Sequence, residues 1–155
     1  MADPIDEDER TTASDTLRRL VRFLASALDV RYAFVVTPVP GEGAGKGGLA
    51  LWVARDYGLR ADLVVVELKE RPPEASLDVV TALRLALPLE VEHLGRGHDR
   101  IVSVEVLGSG GRPIGRLGIL DAQGRRGLFD AERLAPLARR AAAELERWAA
   151  HLSSP

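Results

Sequence analysis

Residues 100–121, RIVSVEVLGSGGRPIGRLGILD, constrain the fold more than any other stretch of the chain. Two runs rich in β-branched and aliphatic residues flank the turn GSGGRP, which predicts an antiparallel hairpin. With Leu107 set opposite Ile114, Glu105 falls opposite Arg116 and Ser103 opposite Gly118. Val102, Val104 and Val106 then share a wholly apolar face with Gly115, Leu117 and Ile119. The other face carries the Glu105–Arg116 ion pair amid Ile101, Leu107, Ile114 and Leu120.

Upstream, Leu17, Leu20, Val21, Leu24 and Leu28 repeat at three and four, the stripe of an amphipathic helix with Ser14 and Asp15 as caps and an end near Asp29. Residues 1–13 carry five acids and little apolar bulk and read as an acidic flexible tail, so a single domain is expected over 14–152. RYAFVVT and LALWVA read as a second hairpin, joined through PVPGEGAGKGG. That loop lacks the hydroxyl after Lys46 and the following helix that a phosphate cradle requires, so its glycines serve the turn and Lys46 points into water.

Gly58 precedes a third strand, DLVVVEL, whose continuous apolar run suggests a sheet covered on both faces, with helices on both sides. Residues 73–86 fit a helix opened by Pro73, whereas Leu83, Leu85, Leu87, Leu89 and Val91 alternate as a strand does. The reading is a helix yielding to a short strand near Pro88. A last helix opens at Asp130, with Phe129 stapled onto Leu134, and continues through Leu137, Ala141, Leu145, Trp148 and Leu152. Pro136 predicts a kink or a later start at Ala135.

Composition excludes more than it assigns. A net charge of −2 gives no field for nucleic acid, no apolar run reaches the length of a membrane span, and the acidic N-terminus is unlike a secretory signal, so a cytoplasmic location is expected. Arginine outnumbers lysine 19 to 2, but the arginines are scattered and define no anion site. Cysteine is absent, which removes disulfides, thiolate catalysis and thiolate metal sites together. With no Ser-His-Asp spacing, paired-carboxylate motif or phosphate loop, the chain is not expected to be an enzyme. His93 and His98 flank a probable loop and His151 a helix end. No convergent set of ligands is visible around them, so neither a metal nor any other cofactor is expected.

The order helix, hairpin, strand, helix, hairpin, long helix resembles a GAF domain. The wording SVEVLGSGGRPIGRLGILDAQ is similar to that family's penultimate hairpin, and FDAERLAPLARRAAAELERWA to its closing helix. The likeness covers about residues 16–150. It implies an α+β, profilin-like fold: an antiparallel sheet of five to six strands, helices on both faces, and N- and C-terminal helices packed together. It further implies a small-molecule sensor that signals through its terminal helices, with a ligand-free homodimerisation or protein-interaction module as the alternative. Subtypes that bind bilins covalently or reduce methionine sulfoxide need cysteines. Cyclic-nucleotide binders carry Asp-Glu where this chain has Arg133 and Leu134.

On this reading Ser103, Glu105 and Arg116 would form a polar pocket floor that orients an unidentified small molecule, or else an ordinary cross-strand ion pair. Trp52, between Ala50 and Ala54, is either a core ring or a ligand platform. Gly115 and Gly118 suggest close approach of a helix or ligand. Leu17, Leu24, Leu137, Leu145 and Trp148 mark the helices through which a homodimer or a regulatory protein partner is expected to form.

Overall fold

The computed structural model describes residues 4–39, 47–68, 79–87, 100–121 and 131–153. Ala13, Leu17, Leu20, Val21, Leu24 and Ala25 recur at helical spacing and are all buried, which seats helix α1 (Pro4–Leu28) on the sheet. The acidic segment expected as a flexible tail is instead helical backbone from Pro4 onward. Proline is tolerated in the first helical turn. Ser14 and Asp15 are consequently interior positions of α1 and not its caps. The helix ends where expected. Asp29 takes φ 53°, and the Val30 N–H reaches the Ala25 carbonyl at 3.0 Å, a Schellman closure with both residues in the core.

Five strands form one antiparallel sheet in the order β3-β2-β1-β5-β4, namely β1 (Tyr32–Val39), β2 (Gly47–Arg55), β3 (Arg60–Leu68), β4 (Arg100–Leu107) and β5 (Pro113–Asp121). The β4–β5 register is the one the side-chain pattern dictates, with Glu105 opposite Arg116 and Ser103 opposite Gly118. Its anchor differs: an irregularity between Val106 and Leu107 sets Leu107 opposite Pro113. Ile114 correspondingly packs against the core on the α1–α3 side of the sheet, away from Leu120.

β1 and β2 pair from Ala33 with Ala54 to Val39 with Gly48, which makes the glycine run a hairpin connection; Lys46 lies outside the described residues. Both strands are buried on two faces, as their unbroken apolar runs require. β3 is different. It is an edge strand with Val65 57% exposed, so its apolar run does not signify cover on both sides.

The two covering layers divide the core by strand parity. Ala33, Val35, Ala50, Trp52, Leu117 and Ile119 face α1 and α3 (Ala131–Ser153). Phe34, Val36, Leu49, Leu51, Val53 and Leu120 face the other way, onto Val79, Ala82, Leu83 and Leu87 in and just after α2 (Val79–Ala86). α1 lies over β1, β2 and β3, α3 over β4 and β5, and the two helices pack on each other. α2 ends at Ala86, two residues before Pro88. Leu83 and Leu85 are helical, as the reading of a helix yielding near Pro88 expects, and Leu83 packs into the core with Ala82. Pro73 and the short strand expected near Pro88 lie outside the described residues.

α3 is helical from Ala131, so the later start offered at Ala135 does not occur. Pro136 sits in the second turn on the exposed side, where it deletes one backbone hydrogen bond of the helix. Phe129 and Asp130 lie outside the described residues. Among the described residues no helix is long and apolar enough to cross a membrane.

Candidate functional site

The polar trio on the sheet forms, with a different centre from the one its charges suggest. Strand parity places Ser103, Glu105 and Arg116 on the α2 face of β4 and β5. Arg116 Nε donates to Ser103 Oγ at 3.0 Å and Nη2 to the Ser103 carbonyl at 3.4 Å, while Nη1 stands 4.0 Å from Glu105 Oε1. Serine therefore holds the guanidinium and the carboxylate only attends it. The arginine side chain is 28% exposed and the glutamate 53%, a half-wet cluster in which charge pairing contributes at most about 1 kcal/mol.

Gly118 lies opposite both Ser103 and Phe34, and a Cβ there would stand 2.7 Å from Phe34 Cζ and 2.8 Å from Ser103 Cβ. The space over Gly118 is thus taken by an aromatic ring from β1. At Gly115 the close approach comes from α3, with Leu145 Cδ1 3.2 Å from the Cβ position.

Trp52 does not join the trio. It is fully buried on the opposite, α1–α3 face, its indole N–H donating to Ser14 Oγ at 3.0 Å. Its ring meets Trp148 edge to face, with centroids 4.9 Å apart and planes at 83°. The alternation with Ala50 and Ala54 makes room for this ring under the helices, so Trp52 is a core residue and the four expected ligand residues split across the sheet.

The residues expected to carry a dimer are corrected in the same way. Leu17, Leu24, Leu145 and Trp148 are buried within the chain and offer nothing to a second copy. The apolar stripe of α3 is covered by α1 and by the sheet together. Leu137 alone of the five remains partly exposed.

Leu137 belongs to a surface groove between α1 and α3. Thr16, Arg19, Leu20 and Phe23 form one wall, Leu137 and Arg140 the other, and the volume is about 310 Å³. Phe23 is 62% exposed, an aromatic ring on the side of α1 turned away from the apolar stripe. That off-stripe position is the signal in the sequence that could have found the groove. Thr16 Oγ1 donates back to the Thr12 carbonyl at 2.9 Å, so it is satisfied within α1.

At the far end of α3, the carboxylate of Glu146 receives the Ser109 N–H at 3.0 Å and the Ser109 hydroxyl at 2.8 Å, which ties the β4–β5 turn to the helix. Among the described residues no group of three or more His, Asp or Glu could hold a metal ion. His93 and His98 lie outside those residues. Comparison with protein-family models, with curated proteins and with solved structures found no match to the chain.

Proposed function

We propose that the chain is a cytoplasmic, non-catalytic regulatory module on a GAF-like scaffold, and that it works by docking a protein partner on the outer face of α1 and α3. The observation that carries this reading is the groove, which the exposed Phe23 ring lines together with Leu20 and Leu137 on two helices packed on each other. Exposed aromatic and arginine side chains around a concave centre are the composition of interface hot spots. The partner is a second copy, giving a homodimer, or a separate regulatory protein. The resemblance of the β4–β5 hairpin and closing helix to GAF domains supports the scaffold assignment, as do the antiparallel sheet and the packing of the first helix on the last.

A second reading, a small-molecule sensor, is favoured by the Ser103–Arg116 cluster on the α2 face. Thermal denaturation against a metabolite library separates the two. A sensor gains stability with ligand concentration as RT ln(1 + [L]/Kd), and loses that gain in Arg116→Ala. The docking module shows no saturable rise with any small molecule. A saturable rise abolished by Arg116→Ala replaces the first reading by the second.

A further inference from the structure

Resting on the docking reading, we infer that the occupant of the α1–α3 groove is a helix of another protein that presents one large apolar side chain with carboxylates a turn away. The inference starts from charge. Arg19 and Arg140 line the groove, and neither makes a hydrogen bond or ion pair among the described residues. The carboxylates four residues from each along the helices are already engaged: Asp15 lies 3.6 Å from Arg18, and Glu144 is 3.5 Å from Arg147. A chain with a net charge of −2 thus keeps two unneutralised guanidinium groups on either side of an exposed phenylalanine.

Guanidinium groups are suited to interfaces because they are weakly hydrated and bind carboxylates in a planar, two-pronged geometry. Their aliphatic stems extend the apolar walls formed by Leu20, Phe23 and Leu137. A concave seam between two helices is the shape that receives a third, with apolar anchors at helical spacing. The volume of about 310 Å³ suits an anchor side chain and falls at the bottom of the range used by whole small ligands. A second copy laid groove on groove would bring Arg19 and Arg140 against their own counterparts, and like charges placed face to face oppose that pairing.

The test uses the full chain and three synthetic amphipathic helices that share a leucine stripe and differ only in flanking residues, glutamate, glutamine or lysine. Fluorescence anisotropy should find the glutamate helix binding about tenfold or more tighter than the glutamine one, with the preference fading as salt rises. Arg19→Glu with Arg140→Glu should reverse the order in favour of the lysine helix while the circular dichroism melt stays unchanged, which excludes misfolding as the cause. Equal binding of the glutamate and glutamine helices, lost in Phe23→Ser, would remove the acidic partner but keep the docking surface. If none of the helices binds in a Phe23-dependent way, both fall. Sedimentation showing a dimer that Phe23→Ser dissolves would overturn the inference in favour of a second copy.

Discussion

The hydrogen bond from Trp52 to Ser14 couples the centre of the sheet to the first helix, and its removal has a calculable cost. Ser14→Ala deletes the acceptor that, among the described residues, serves an indole N–H on a ring with no solvent exposure. An unsatisfied buried donor costs about 1–3 kcal/mol, against which alanine returns about 0.5 kcal/mol of helix propensity. The net loss of about 1–2 kcal/mol corresponds to a fall in Tm of roughly 2–8 °C for a chain of this size. Trp52→Phe loses the same bond together with part of the edge contact to Trp148, at a cost of about 2–4 kcal/mol. In the Trp52→Phe background the donor is gone, so Ser14→Ala should cost close to nothing. Urea titrations of the four proteins, followed by circular dichroism, give the coupling directly, with about 1–2 kcal/mol expected. Single and double changes that add to within about 0.5 kcal/mol would show that the contact contributes nothing and refute the reasoning.

Gly118→Ala should destabilise by about 1–3 kcal/mol through its clash with the Val102 carbonyl, Phe34 and Ser103, and Phe34→Leu in the same chain should recover only the part due to the ring in thermal melts. Leu17→Ala should cost about 2–5 kcal/mol independently of protein concentration, since the side chain is buried within one chain, whereas Leu137→Ala at the groove should cost less than half as much. Glu105→Gln should change stability by less than about 1 kcal/mol, and Ser103→Ala, which frees the Arg116 guanidinium, should cost at least as much as Glu105→Gln in the same denaturation assay. Glu146→Ala should speed amide hydrogen exchange at Ser109 while leaving the global melt within about 1 kcal/mol of the parent.

The sheet was legible where side chains report on both faces at once. The β4–β5 register follows from setting Glu105 against Arg116, because a slip of one residue would turn every valine outward. The bulge at Leu107 left no mark in that pattern, since it lies at the turn where alternation ends. The apolar run of β3 misled because edge strands and doubly covered strands can share a composition, and only the strand order distinguishes them. Leu83 was ambiguous for a related reason: a leucine every second residue satisfies a strand and, at Leu83 and Leu87, a helix face as well.

The helical start at Pro4 was hidden by the lack of apolar residues there, which removes the periodic signal but not the backbone preference. The candidate site was legible residue by residue and misassembled as a set. Ser103, Glu105 and Arg116 share a face as their register requires, but nothing in the strand pattern of β2 says which face Trp52 takes relative to β5. The terminal helices were recognisable as partners of each other, and that same recognition selected their buried leucines in place of Phe23, Arg19 and Arg140.

The sheet is a three-stranded meander, β1–β2–β3, and a hairpin, β4–β5, sewn together by one ladder running from Tyr32 with Leu120 to Val36 with Arg116. Those partners are roughly 80 residues apart in the chain, so closing this seam carries the largest entropic cost of any strand pairing and should set the pace of folding. The helices straddle the same line, α1 above one half and α3 above the other, and act as a strap across it. A molecule wedged or clamped between them would therefore bear on the longest-range join in the sheet, coupling an event at the surface to the cohesion of its two halves.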